Sequence, residues 1–272
     1  MESAVRLTAI PEGAVLLVQI TDLHLPETAG SPVAGVDTDR NLRKVLGAMA
    51  RSLPRKPDLV LATGDIADTG AASAYMRFQQ YMNEVEAPVF GLPGNHDRAS
   101  VLFDVWRGHV PEWIDTPAWR IVMLDSTLPG EDAGRLGPER LDRLRTALDS
   151  TTNHVLVVLH HHPVPVRSQW LDKYMLKDSS ALFECIGGCE QVRAVLCGHV
   201  HQELDGRHPG MDASAHTPVR VLASPSTAFQ FAPRTREYAL DDAGPAYRWL
   251  LLHPDGTLDT TVEYLTANGA RP

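Results

Sequence analysis

Cysteine is scarce in this chain. Its three residues in 272, Cys185, Cys189 and Cys197, are too few and too odd in number for a disulfide framework, which points to a reducing compartment and here to the cytoplasm. No apolar stretch approaches the roughly 18 residues that cross a bilayer, and the N-terminus lacks a basic-then-apolar signal pattern. No membrane is therefore expected as a partner. A basic excess is missing too: the formal net charge is -9, which argues against nucleic acid, whose binding demands cationic faces that release counterions. Between Val15 and Tyr264 there is no Gly/Ser-rich linker, charge run, repeat or low-complexity tract. With 43% hydrophobic residues to build a core, residues 1–272 read as one domain. What the chain has in excess is histidine, 12 residues with several clustered.

The clusters fall at the ends of apolar runs. Leu16-Leu17-Val18-Gln19-Ile20-Thr21 reads as a buried strand that ends at Asp22-Leu23-His24. Alternate side chains of an extended chain share a face, so Asp22 and His24 point the same way, a carboxylate and an imidazole of the kind that ligate metals. Asp39 is placed to cap a helix with Leu42, Val45, Leu46 and Met49 on one face. Leu59-Val60-Leu61-Ala62-Thr63 is a strand buried on both faces; Gly64 turns the chain there, Asp65 stands at the tip and Asp68 follows. Wound sheets bind ligands at the carboxyl ends of their strands, so Asp65 marks a site. A second helix carries Tyr75, Phe78 and Met82 as its core stripe.

The short strand Val89-Phe90-Gly91-Leu92 runs into Pro93-Gly94-Asn95-His96-Asp97. That segment reads either as a turn in which Asn and Asp bond their own backbone, or as a site in which Asn95 offers a neutral oxygen and His96 an acid or phosphate contact. Further strands run from Trp119 to Asp125 and from His154 to Leu159, separated by a helix opened by Gly137-Pro138 and carrying Leu141, Leu144 and Leu148. The second of these ends in His160-His161-His162-Pro163. In extended chain His161 faces opposite to its neighbours, so at most one side of the triplet is a ligand set. Ser179 to Ile186 is a short helix, where Cys185 and Cys189 could touch a metal but read better as buried thiols. Val192 to Cys197 is a strand closing on Gly198-His199-Val200-His201, two imidazoles aimed at one locus and a strong local sign of a metal. Val219 to Ala223 is another strand, and 246–265 reads as a hairpin, Tyr247 to His253 and Leu258 to Tyr264, turned at Pro254-Asp255-Gly256.

Jointly, Asp22-x-His24, Gly64-Asp65, Gly94-Asn95-His96-Asp97, His161-x-Pro163 and Gly198-His199-x-His201 resemble, in order and spacing, the five-block pattern of the calcineurin-like metallophosphoesterases. Other stretches narrow the resemblance to the bacterial class III 3',5'-cyclic-AMP phosphodiesterases over nearly the whole chain: Leu159 to Pro165, Trp170-Leu171-Asp172, Leu196 to Asp205, Pro225-Ser226-Thr227 and Gln230-Phe231. Arg207 to Pro218 fits least well, and its role is open.

The resemblance implies an α/β fold, a four-layer αββα sandwich of two mixed β-sheets flanked by helices, with two metal ions at the strand tips. Carried over by residue, Asp22, His24, Asp65 and His201 hold one ion, and Asp65, Asn95, His161 and His199 hold the other. Asp65 is shared. A carboxylate has two oxygens and a charge with which to bridge two cations, whereas imidazole cannot. Ions roughly 3.5–4 Å apart suit in-line attack at phosphorus by a bridging hydroxide. The implied reaction converts cyclic AMP to 5'-AMP. Asp65, Asn95 and His96 are its expected catalytic residues, and His24, Asn95, His96 and His201 are expected to meet the substrate. His96 contacts phosphate and stabilises the leaving 3' oxygen, with Asp97 orienting its ring. Oxygen and nitrogen ligands without thiolate favour iron or manganese, with zinc, cobalt or magnesium also compatible. Thr227, Phe229 and Gln230 lie beyond a strand tip and are candidates to reach the adenine, with core packing an equal reading of Phe229. The sequence does not choose between monomer and homodimer. A broader phosphodiesterase acting on glycerophosphodiesters or 2',3'-cyclic nucleotides would use the same centre. A non-catalytic scaffold of this fold would lack ligands or His96, all of which are present.

Overall fold

Alternation within single strands explains why this chain forms two sheets. In β1 (Val15–Ile20), Leu16, Val18 and Ile20 enter one buried cluster while Leu17 enters another. A strand apolar on both sides must be covered on both sides. The computed structural model describes residues 10–208 and 218–265, so most of Arg207 to Pro218 lies outside the described residues. After β1 come α1 (Thr38–Ser52), β2 (Leu59–Thr63), α2 (Ala72–Asn83), β3 (Val89–Leu92), α3 (Ala99–Val105), β4 (Trp113–Asp115) and β5 (Trp119–Leu124). They are followed by α4 (Gly137–Asp149), β6 (His154–Leu159), α5 (Ser179–Ile186), β7 (Val192–Cys197), β8 (Leu204–His208), β9 (Val219–Ala223), β10 (Gln230–Phe231), β11 (Leu240–Asp241), β12 (Ala246–Leu252) and β13 (Leu258–Tyr264).

One large sheet has the order β13-β12-β1-β2-β3 and the other β4-β5-β6-β7-β9-β8, while β10 and β11 pair as a separate two-stranded ribbon. Both large sheets are mixed: β1, β2 and β3 run parallel beside the antiparallel β12 and β13, and β5, β6, β7 and β9 run parallel between antiparallel edges. Three apolar clusters separate four layers. Leu42, Val45, Tyr75 and Phe78 of α1 and α2 meet the outer face of the first sheet. Leu17, Leu61, Ile121, Leu156, Leu196 and Leu250 fill the space between the sheets. Leu141, Leu144, Leu182 and Phe183 of α4 and α5 cover the second sheet through Val155, Val157 and Val195. Burying each such side chain contributes roughly 1.5–3 kcal/mol. The expected αββα sandwich is the architecture found.

A polar seam crosses the middle of this apolar stack. Gln19 Nε2 donates to Thr63 Oγ1 at 2.7 Å and to the Cys197 carbonyl at 3.0 Å, and its Oε1 accepts from Ser224. Arg248, only 1% exposed, donates to Ser224 Oγ at 3.1 Å and to the Ala223 carbonyl at 3.0 Å. Gln19, Thr63 and Cys197 each sit two or three residues before a candidate ligand, so the seam sets the register of the two sheets where their tips meet. Arg248→Ala strands several buried acceptors, each worth about 1–3 kcal/mol when unsatisfied. We expect it to lower the unfolding free energy by roughly 2–4 kcal/mol, read as a shifted urea midpoint.

Strand and helix positions follow the sequence reading with ends moved by one residue. The cap of α1 differs. Asp37, not Asp39, accepts the Arg40 N–H at 2.9 Å, while the buried Asp39 receives Arg77 Nε at 2.7 Å and Tyr81 Oη at 2.8 Å and so ties α1 to α2. The elements without a sequence signal are α3, β4, β8, β10 and β11; the strands among them have two to five residues, too few for a period to show. Among the described residues no helix is long and apolar enough to cross a membrane.

Candidate metal centre and active site

At the tips of β1, β2 and β7 the backbone turns through an uncommon conformation. Asp22, His24, Asp65, His199 and His201 have φ of 54°, 46°, 49°, 67° and 48°. The left-handed region holds a few per cent of non-glycine residues, Asp and His being enriched there. Here it holds five of the seven candidate ligands. Such strain persists only where surroundings over-determine it. The tips brace one another: Asp22 N donates to the Gly64 carbonyl at 3.0 Å, His24 N to the Asp65 carbonyl at 2.9 Å and Gly198 N to the His160 carbonyl at 3.0 Å. Two glycines make the approach close enough. A methyl on Gly94 would overlap the Asp65 carboxylate, and one on Gly198 would overlap Thr21 Oγ1.

On one side of Asp65 a four-residue set converges. His24 Nε2 and His201 Nε2 face each other at 3.2 Å, Asp22 Oδ1 lies 3.3 Å from His201 Nε2, and Asp65 Oδ2 lies 3.8 Å from His24 Nε2. All four side chains are buried. The far nitrogens are engaged: His201 Nδ1 donates to the Phe229 carbonyl at 2.7 Å, and His24 Nδ1 lies 3.3 Å from Asp68 Oδ1. Metal-binding histidines are held in this way, with one nitrogen fixed and the other lone pair free.

On the other side the histidine triplet departs from the alternation expected of it. The strand stops at Leu159 and the chain bends, so His160, His161 and His162 are all buried. His160 Nδ1 donates to the Thr63 carbonyl at 2.8 Å, which leaves Nε2 3.3 Å from Asp65 Oδ2 and 3.2 Å from Asn95 Oδ1. His161 has its ring 4.8 Å from that of His199, but its Nδ1 meets Ser126 Oγ at 2.8 Å and its Nε2 donates to the Asp132 carbonyl at 3.2 Å. The place between Asp65 and Asn95 that the resemblance gave to His161 is faced by His160 Nε2, while His161 shares one cluster of metal-competent groups with His160 and His199. His199 Nε2 is buried with no hydrogen-bond partner.

These donors fit a pair of cations. Among the described residues the ion-pair partners of Asp22 and Asp65 are all histidines, and a buried charge without a fixed counter-charge costs several kcal/mol. The surrounding imidazoles offset part of that cost. Burial lowers the pKa of His160, yet the Asp65 and Asp22 charges outweigh it and push it up to about 9. Burial would raise Asp65, but His160, with His96 and His24, holds it well below the usual carboxylate range. Burial and neighbouring imidazoles keep His161 and His199 neutral, the state in which imidazole ligates. Cys185 and Cys189 stay apart from every cluster of metal-competent groups among the described residues.

His96 stands at the edge of this centre, its side chain 42% exposed. Its backbone N–H donates to Asp65 Oδ1 at 2.9 Å and its Nδ1 donates to the Asp68 carbonyl at 2.9 Å, so Nε2 is free to face the cavity. Burial pulls its pKa down, but the Asp65 charge and the Asp68 carbonyl raise it above the ordinary imidazole value. Asp97 does not orient this ring. Its carboxylate accepts the N–H groups of Ile66, Ala67 and Gly94 and the Tyr75 hydroxyl, which locks the Asp65 tip to the Asn95 loop. Of the adenine candidates, Thr227 donates to the Thr21 carbonyl and Gln230 bonds the Ser226 backbone, both buried, so only Phe229 reaches the cavity.

Comparison with known proteins adds three findings. The family model described as calcineurin-like phosphoesterase matches residues 15–203. A 3',5'-cyclic adenosine monophosphate phosphodiesterase of Pseudomonas aeruginosa is 42% identical over 94% of this chain and 92% of its own, and one of Escherichia coli K12 is 36% identical over 100% and 98%. Among solved structures, a yellow lupin purple acid phosphatase superposes with a TM-score of 0.64 at 14% identity, covering 94% of this chain and 52% of that one. A dimetal phosphatase of Danio rerio gives 0.61 at 15%, covering 87% and 95%. At such identities these two bear on fold alone.

Proposed function

The chain belongs to the calcineurin-like phosphoesterases, and from that premise we propose that it hydrolyses 3',5'-cyclic AMP to 5'-AMP at a dinuclear metal centre. The observation that carries the reading is the position of Asp65, whose Oδ2 faces a nitrogen of His24 on one side and of His160 on the other. Asp22, His24, Asp65 and His201 hold one ion. Asp65, Asn95, His160 and His199 hold the second, with His161 packed behind His199. When bound, the pair supplies Lewis acidity and lowers the pKa of water to make a nucleophile. Iron or manganese suits a mixed set of imidazole and oxygen donors, and zinc, cobalt or magnesium is compatible with it.

Within this frame the chain positions the diester and manages one proton. His24, Asn95, His96 and His201 border the cavity in which the phosphate sits. Water adds to phosphorus and gives up a proton, the bond from phosphorus to the 3' oxygen breaks, and that oxygen ends with the proton the water released. His96 Nε2, on a ring whose pKa lies above the ordinary value, contacts the phosphate and offsets charge on the leaving oxygen. One domain of 1–272 accommodates all of this, and three free thiols suit the cytoplasm.

The test is a substrate panel at fixed metal, run beside metal analysis of the purified protein. Cyclic AMP should be turned over faster than glycerophosphocholine or 2',3'-cyclic AMP, with close to two ions per chain. A reversed order by orders of magnitude would replace the proposal with a broader phosphodiesterase. In the same analysis His160→Ala should lose about one ion per chain; loss from His161→Ala alone would restore His161 as the ligand.

A further inference from the structure

Beside the metal centre, the cavity continues into a wall of aromatic side chains that the ligand set does not use. Phe231 stacks on His201 with ring centroids 4.0 Å apart and an interplanar angle of 17°, and Phe229 packs 4.9 Å from His201 and 5.3 Å from His24. Trp170 meets Phe231 edge-on at 5.0 Å, and Tyr238 closes the group at 5.3 Å from Trp170 and 5.5 Å from Phe231. Two loops are laced together to form it. Trp170 Nε1 donates to Thr235 Oγ1 at 3.1 Å, Gln169 N to the Thr235 carbonyl at 2.9 Å and Arg234 N to Ser168 Oγ at 2.9 Å. The wall is therefore built in advance, yet Tyr238 is 55% exposed, a large aromatic left facing water.

The cavity measures about 460 Å³, inside the range of small-molecule sites, and among the described residues no Lys or Arg lines it. An anionic group therefore has its natural place at the cation-binding end. The opposite end offers flat π-surfaces to an uncharged planar group. Resting on the cyclic AMP reading, the geometry points to Trp170, Phe231 and Tyr238 as the platform on which the purine of the substrate stacks, and so as the residues that set base selectivity. Aromatic side chains serve bases in this way because every base has a π-face. Thr227 and Gln230, bonded into the backbone beneath, hold the turn that carries Phe229 and Phe231 and do not touch the base.

Tyr238 is the residue to change, since it is exposed and contributes little to the core. Tyr238→Ala should lower the ratio of kcat/KM for cyclic AMP to that for the base-free diester methyl 4-nitrophenyl phosphate by roughly ten-fold, through KM, as expected for loss of one aromatic contact to a base. Tyr238→Phe should restore the ratio. Calorimetry supplies a readout that needs no turnover: wild-type protein should bind 5'-AMP more tightly than ribose 5-phosphate, and Tyr238→Ala should erase most of that difference. An unchanged ratio and an unchanged preference would overturn the assignment. So would a wild-type preference for glycerophosphocholine that Tyr238→Ala removes, because the wall would then be a cage for a quaternary ammonium group. If cyclic AMP proves not to be a substrate, the binding comparison still decides whether the wall reads a base.

Discussion

Asp65→Asn should bring turnover of cyclic AMP down by roughly a thousand-fold or more, the several kcal/mol of charge stabilisation that a catalytic ion provides. An amide keeps the shape and can still accept the His96 N–H that Asp65 Oδ1 takes at 2.9 Å. It cannot carry the negative charge that faces His24 on one side and His160 on the other. Metal content should therefore fall to one ion per chain or fewer, while the far-ultraviolet circular dichroism stays that of the folded protein. A variant with two ions and full activity would remove the shared ligand, and the two-ion reading with it.

His96→Ala should slow the reaction by about 10²–10⁴-fold with both ions retained, the range typical of a positioned acid or base. The side chain reaches the cavity from outside the ligand set, and its Nδ1 is held by the Asp68 carbonyl and not by a ligand. The defect should appear in kcat more than in KM, and should shrink for a diester whose leaving group is a good one, such as 4-nitrophenolate, because that group needs less help to depart. Loss of an ion from this variant would instead make His96 a ligand.

Much of this was legible in the chain before its coordinates. The runs ending at Thr21, Thr63 and Cys197 carried apolar residues on both faces and a ligand-type residue just beyond, and a buried parallel strand leaves few other meanings for that combination. The sandwich and five of the seven proposed ligand positions follow from those tips, and Asn95 follows from the Pro-Gly turn after β3. His160, which the proposed second site takes in place of His161, was not assigned because the resemblance was matched as His161-x-Pro163; alternation leaves open which side of the triplet ligates, and β6 ends before the triplet begins. Asp97 was misread because a carboxylate next to a histidine suggests a pair, whereas its geometry serves three backbone N–H groups. The aromatic wall was out of reach for a different reason. Trp170, Phe231 and Tyr238 belong to loops and a two-residue strand with no period, and only the contact between the 168–170 and 234–238 segments gathers them.

Because β1, β2 and β3 lead to Asp22, His24, Asp65 and Asn95 while β6 and β7 lead to His160, His199 and His201, each proposed ion is clasped by residues from both slabs of the sandwich. A catalytic geometry that fails by a factor of a hundred for a misplacement of about 1 Å then acts as a gauge of how the slabs sit on each other. Gentle heating that lets them slide should silence the enzyme while every helix is still in place, and the bound ions, by riveting one slab to the other, should postpone that moment.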